Sequence, residues 1–449
     1  MTINAFTRED GLSMAEICPF RALRFTPVAG EIEELTCPPY DIISEEQRLE
    51  YLSQNPHNII RLELPRDGQE PYSQAGETLR RWLNEGILQQ DDAPALYIYE
   101  IRFSVDGRSD ISGADGEKRS IMGMIGLVKL EEFEKGIVLP HEETLSKAKT
   151  DRFNLMKATN CNFSSIYSLY MDDGGEEETL DILALISHDQ PISEMTDESG
   201  LEHRLWAITD TGIIAQIQNH LADTKLYIAD GHHRYETALN YRNYLRGQGV
   251  PEGTAADYIM MMMVEMNHPG LVVFPTHRLV RGLDSFDAKA LLDACEPYFD
   301  IVKEVDLSSV DEALENAYIS GSHAFGFYTG GNRFTLMTLR DVSVMDRLLP
   351  SLSPASRTLD VTVLHTLVLE RLMGIDKENM ANQRNLTYTR SLEEVLHSVD
   401  SGEAQCGFIL NPTRVPEIRD VALAGEKMPQ KSTYFYPKLI TGLVMNKLD

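Results

Sequence analysis

Residues 225–239, Lys225-Leu-Tyr-Ile-Ala-Asp-Gly-His-His-Arg-Tyr-Glu-Thr-Ala-Leu239, decide how this chain is read. Lys225–Ala229 is a short apolar run of strand length. Asp230-Gly231 forms a tight turn, where glycine supplies backbone freedom. From His232 onward, Tyr235, Ala238, Leu239, Arg242 and Leu245 recur at helical spacing. A strand that passes through Asp-Gly into a helix leaves the leading N–H groups of that helix free, and they and the helix dipole favour an anion. Arg234 adds a fork of donors suited to phosphate or carboxylate. His233 can donate a further hydrogen bond, and Asp230 can hold a metal-bound water or a substrate hydroxyl. The same residues also read as a plain turn. Adjacent histidines on a helix point about 100° apart, so His232 and His233 do not easily share one metal.

Two more charged segments stand out. Leu139-Pro-His-Glu-Glu-Thr-Leu-Ser-Lys-Ala-Lys-Thr-Asp-Arg152 gathers His141, Glu142, Glu143, Lys147, Lys149, Asp151 and Arg152. It is not HExxH, because position 145 is Leu, so zincin chemistry lacks support. Mixed charge of this kind suits a carboxylate base beside cations that hold an anion, and equally a surface helix laced with ion pairs. Ala424-Gly-Glu-Lys-Met-Pro-Gln-Lys-Ser-Thr-Tyr-Phe-Tyr-Pro-Lys438 has the look of a P-loop, but Gln430 stands where the second Gly belongs and Pro429 removes a cradle N–H. Lys427, Lys431, Ser432 and Thr433 either reach a ligand or sit in a clamp between domains. Tyr40 and Asp41, after Cys37-Pro-Pro, either line a site or belong to a loop shaped by its prolines. There is no GxGxxG and no GxSxG, which removes support for a Rossmann dinucleotide site and for an α/β-hydrolase elbow. Four consecutive methionines, 260–263, read as a buried strand rather than a metal site.

The 449 residues suggest two or three domains, and a fresh unit begins near 280. Ser44 before Glu45-Glu-Gln47 reads as an N-cap, and Tyr72–Gly86 as a helix. Leu96–Phe103 and Arg119–Val128 read as a hairpin around a long Gly/Asp/Ser-rich connection. Strands fit Ser165–Tyr170, Arg204–Thr209 and Tyr258–Met266, and the acidic stretch 172–200 reads as solvated surface with one helix. Beyond 280, the pattern gives a helix through Leu291 and Leu292, a strand Phe299–Val305, a second hairpin (Ala324–Tyr328 with Phe334–Leu339), and a helix Val361–Leu372. The final segment is expected to fold back on the rest.

Lys plus Arg is 41 and Asp plus Glu is 70, a net charge of −29. That balance argues against wrapping a nucleic acid, whose phosphates need Lys and Arg, but a local funnel of cations can still serve a small anion. The five cysteines lack CxxC spacing and read as reduced thiols. No run approaches the roughly 20 apolar residues of a membrane span, and the polar N-terminus lacks a signal-peptide pattern. The expected location is cytoplasmic.

Taken in order, Phe20-Arg-Ala-Leu-Arg24, Pro38-Pro-Tyr-Asp41, His141-Glu-x-Thr144, Lys149-x-Asp-Arg152, Ala229-Asp-Gly-His-His-Arg-Tyr235, Leu359-Asp-Val361 and Gly425-Glu-x-Met-Pro-Gln-Lys-Ser-Thr-Tyr-Phe-Tyr-Pro-Lys438 resemble a widespread prokaryotic family long carried as a domain of unknown function. The resemblance runs from about residue 15 to about 445. The Asp-Gly-x-His-Arg element resembles that of the ParB/sulfiredoxin-like fold, which includes small free-serine kinases and nucleotide-binding partition proteins. The resemblance implies an α+β protein. A ParB/sulfiredoxin-like mixed-sheet catalytic core would occupy 1–280, and a smaller α/β unit, 281–449, would pack back on it.

The activity so implied is a kinase of a small hydroxyl metabolite, L-serine giving O-phospho-L-serine, with ATP or ADP as donor and Mg²⁺. Asp230, Gly231, His233 and Arg234 match the family's nucleotide-phosphate element, with His232 at its variable position. Asp230 would assist the metal or the hydroxyl, and His233 the transferring phosphate. Glu142 would be the base, Glu143 the second choice. His141, Lys149, Arg152 and Lys431 would meet the substrate, Lys149 and Arg152 through its carboxylate. Expected partners are nucleotide and small molecule, with no nucleic acid or membrane; an oligomer is compatible with the sequence. The chain is much longer than the minimal kinases. Two other classes fit the residues: a nucleotide-responsive regulator without turnover, and a metal-dependent hydrolase.

Overall fold

The computed structural model describes residues 15–105, 117–144, 146–172 and 179–448. The connection of the first hairpin and most of the run Asp172-Asp-Gly-Gly-Glu-Glu-Glu178 lie outside the described residues. A nine-stranded sheet is the frame. Its main path runs Val138–Leu139, Leu226–Asp230, Ile166–Tyr170, Tyr258–Glu265, Glu117–Lys129, Leu96–Val105, Glu202–Ile208, Ser193–Thr196, and Ile17–Cys18 joins the end of Glu117–Lys129. The sheet is mixed. Leu226–Asp230 is parallel to Val138–Leu139 and antiparallel to Ile166–Tyr170, whereas Tyr258–Glu265 is parallel to Ile166–Tyr170.

Its central strands are greasy on both sides, which is why they read as continuous apolar runs. The methionine strand shows the alternation: Met260 and Met262 enter one core, Met261 and Met263 the other, all fully buried. The second core is covered by the helices Thr211–Leu221 and His232–Gly247. The latter contributes Tyr235, Ala238, Leu239 and Tyr241, of which a leucine such as Leu239 stabilises by about 1.5–3 kcal/mol when fully buried. The Tyr235 hydroxyl is satisfied by donating to the Glu131 carbonyl at 2.8 Å. The first core continues without a break into Phe299, Phe325, Leu364, Leu367 and Phe435.

A six-stranded sheet follows, ordered Phe299–Asp306, Arg333–Leu339, Ala324–Tyr328, Cys406–Ile409, His277–Val280, Leu386–Thr389. Every pairing in it is antiparallel, so the α/β unit expected from sequence is an α+β one. The short Gly330-Gly331 turn dictates this for the two strands it joins, Ala324–Tyr328 and Arg333–Leu339, because adjacent strands linked by so few residues must run antiparallel. The helix expected near Val361–Leu372 is one turn of α-helix followed by a π-helix, Leu364–Leu372. Ser44 caps the helix Glu45–Gln54 in a reciprocal box with Gln47.

Tyr434–Tyr436 pairs with Val272–Phe274, and Asn446–Lys447 with Cys161–Asn162. All five cysteines are buried, and none is in a disulfide. Among the described residues no helix is long and apolar enough to cross a membrane.

Candidate active site

Leu226–Asp230 ends at its carboxylate, the backbone turns at Gly231 with φ +96°, and the helix His232–Gly247 begins. Its N-cap is Gly231, which has no side chain to cap the helix start. A Cβ at position 231 would lie 3.0 Å from the Arg234 guanidinium, in a backbone conformation that L residues resist. Gly231→Ala is therefore expected to cost about 1–3 kcal/mol of stability, read as a lowered urea midpoint on the full chain. An unchanged midpoint would show that the turn relaxes freely.

Asp230 is held on both oxygens. Oδ1 accepts from Lys438 Nζ at 2.6 Å and Oδ2 from Arg234 Nη2 at 2.8 Å. Burial pushes this carboxyl up, but Lys438 and Arg234 outweigh burial and hold it well below the usual carboxylate range. Arg234 also donates to the Ser165 carbonyl at 2.6 Å, so it braces the turn against the neighbouring strand. The metal-ligand role expected of Asp230 does not fit these surroundings, since an ion would have to displace one of the two cations. Among the described residues no group of three or more His, Cys, Asp or Glu is arranged to hold a metal.

His141 and His232 meet with ring centroids 4.6 Å apart. The His141 backbone N–H donates to His232 Nε2 at 3.2 Å, which leaves the His232 ring proton on Nδ1. Burial lowers both, His141 to about 4 and His232 well below its ordinary value with His141 adding to the effect. His141 Nε2 lies 3.0 Å from Thr433 Oγ1, and its carbonyl accepts from Met428 N–H at 2.7 Å.

Next to it, Glu142 Oε1 accepts the Lys431 backbone N–H at 2.5 Å. Lys431 adopts φ +56°, the left-handed region that a lysine seldom enters. Burial raises the Glu142 carboxyl above its ordinary value, and Lys431 offsets this only in part. Glu143 is exposed. His233 is partly buried, and its ring is lowered by burial and then by Lys431. One turn along the helix, Glu236 collects Lys149 (2.7 Å), Thr144 (2.8 Å) and Lys427 (3.6 Å).

The structure thus brings His141, Glu142, Lys149, Gly231, His232, His233, Arg234 and Lys431 to one end of the sheet around Asp230. Arg152 is the exception in role. It is 5% exposed, paired with Asp151 at 2.6 Å, bonded to the Glu63 carbonyl at 2.7 Å, and stacked over Tyr40 at 4.0 Å. With its donors taken up inside the protein, it does not fit the substrate-carboxylate role expected of it.

Sequence reasoning missed three neighbours. Lys438 ended a motif but gave no sign of meeting Asp230. Tyr167, opposite Asp230 in the sheet, has a buried hydroxyl without a hydrogen-bond partner among the described residues. Arg278, in the strand His277–Val280, is 1% exposed; it donates to the Lys431 carbonyl and to His365 Nε2, each at 3.2 Å, and also to the Thr276 carbonyl.

Residues 17–362 match the model of the family described as "Protein of unknown function (DUF1015)", and the chain belongs to it. No curated protein matches the chain in sequence. Among solved structures it is similar to a conserved hypothetical protein from Pyrococcus furiosus (13% identity, TM-score 0.35, covering 71% of this chain and 94% of that one). It is also similar to a free serine kinase in complex with AMP (12%, 0.35, 70% and 89%) and to C-terminally truncated SbnI from Staphylococcus aureus (11%, 0.33, 71% and 86%).

Proposed function

We propose that this protein is a nucleotide-dependent phosphotransferase acting on a small hydroxyl metabolite, with L-serine to O-phospho-L-serine as the expected reaction. One observation carries the reading. In a protein of net charge −29, Lys149, Arg234, Lys427, Lys431 and Lys438 are concentrated around one helix start whose N-cap is a glycine. Such a concentration of cations in an acidic chain suits a phosphorylated ligand.

Phosphoryl transfer asks for positioning and charge stabilisation more than covalent help. In this reading the helix N–H groups after Gly231, with His233 and Lys431, hold the phosphates of ATP or ADP. The acceptor oxygen bonds to the terminal phosphorus as the bond from that phosphorus to the departing nucleotide oxygen breaks. Glu142 takes the hydroxyl proton, a role its raised pKa favours. Asp230 keeps Lys438 and Arg234 in position. Mg²⁺, when it accompanies the nucleotide, neutralises phosphate charge. The reading includes a ParB/sulfiredoxin-like core over 1–280 and a second unit over 281–449.

Phosphorus NMR on the full chain with Mg²⁺, ATP or ADP, and a mixture of serine, threonine, homoserine and glycerate tests this. The expected result is a new phosphomonoester signal that requires one acceptor. Nucleotide that binds without being consumed would overturn turnover and leave a regulator. Nucleotide that neither binds nor is consumed would remove the phosphate site altogether.

A further inference from the structure

We propose that a cavity of about 370 Å³ beside Lys438 is the subsite for the carboxylate of a small amino acid, and that Arg390 is the residue that grips it. The proposal rests on the phosphotransferase reading only for the acceptor's identity. The cavity lies between the Cys37-Pro38-Pro39 loop, the turn at Asp197–Ser199 and the C-terminal segment. It adjoins the candidate active site through a shared residue: Lys438 lines the cavity and bonds to Asp230.

Three observations define its chemistry. First, Arg390 stacks its guanidinium on the Tyr434 ring at 4.1 Å, and Lys438 lies 4.4 Å from the same ring. The aromatic surface fixes the arginine's direction without consuming its donors. Second, Arg390 makes no hydrogen bond or ion pair to another described residue, although acidic residues outnumber basic ones by 29 in this chain. Arg24, Arg152, Arg234, Arg242 and Arg246 all have carboxylate partners, whereas the exposed Arg80, Arg81 and Arg371, like the exposed Arg390, have none among the described residues.

Third, the lining carries opposite charge as well. Glu198 accepts from Tyr51 at 3.4 Å and from Gln54 at 2.5 Å, which hold it in place while leaving acceptor capacity. Asp197 is turned toward His203 at 3.1 Å. A cavity with a free guanidinium and fixed carboxylates matches a zwitterion: the ligand carboxylate on Arg390, its ammonium toward Glu198. An adenine ring has no charge to match either group.

The test compares L-serine with serinol, in which a CH₂OH replaces the carboxylate, by saturation-transfer NMR titrations of the full chain without nucleotide. The wild type is expected to bind L-serine about tenfold or more tightly than serinol. Arg390→Ala should bring L-serine down to the serinol level, Arg390→Lys should restore part of the difference, and ATP affinity should stay unchanged in both. Equal affinities in the wild type, no detectable L-serine binding, or discrimination that survives Arg390→Ala would overturn the proposal. So would loss of ATP affinity in Arg390→Ala, which would give the cavity to the nucleotide. Discrimination that depends on Arg390 in a protein that transfers no phosphate would uphold the subsite and sink only the phosphotransferase reading.

Discussion

Glu142→Gln is expected to leave nucleotide affinity unchanged and to cut turnover about 10²–10⁴-fold. The substitution is nearly isosteric, and the amide oxygen can still accept the Lys431 N–H that now meets Oε1. What it removes is the capacity to take a proton. The pH dependence provides an independent readout. Burial raises the Glu142 carboxyl above its ordinary value, and only the ionised form can act as a base. As pH falls, activity should therefore fade on an acid limb lying above about 4.5, not at the position of a solvated glutamate. Lys431 opposes the shift, so Lys431→Met should move that limb higher still. The measurement is kcat against pH for the three proteins. Turnover that survives Glu142→Gln would take the base role from this residue and direct attention to the exposed Glu143.

The second large effect is on stability. Asp230→Ala removes the one carboxylate that Lys438 and Arg234 share, their side chains 11% exposed and that of Asp230 17%. Two cations left facing each other in a poorly solvated place should destabilise the fold by about 3–5 kcal/mol, read from urea unfolding. Adding Lys438→Met to the variant should recover part of the loss, because the stranded charge goes with it; no recovery would mean that the ion pair is not the source. The linkage has a definite sign. The folded-state pKa of Asp230 is depressed, so its contribution is present above the unfolded value near 4 and is lost as pH falls through the folded one. Asp230 thus stabilises the protein throughout the neutral range.

Much of this architecture was legible because period and punctuation agree. The run Lys225–Ala229, the Asp-Gly turn and the 3.6-residue spacing from His232 produced a strand, a left-handed glycine and a helix where expected. Tyr258–Glu265 followed from length and apolarity. The second unit was misjudged because an alternation of helices and strands looks alike whether the strands run parallel or not. Arg152 misled for another reason. Spacing within a charged segment says which residues share a helix, but not that Glu63 and Tyr40, about 90 and 110 residues away, close over one of them. Lys438 lay beyond local reasoning altogether, since its partner is 208 positions distant. Arg390 carried no signal at all: its meaning depends on what does not pair with it.

That 208-residue separation bears on how the protein is made. At roughly 5–20 residues per second, a ribosome adds Lys438 about 10–40 s after Asp230. In that interval the nascent chain already has the signature turn and helix, but not Lys427, Lys431 or Lys438. The growing polypeptide can shape its sheet but cannot complete its charge-balanced pocket, and Asp230 waits with Arg234 alone. A chain broken off before Lys438 would carry the signature turn without the cation that balances Asp230, so competence arrives only once that lysine has been added.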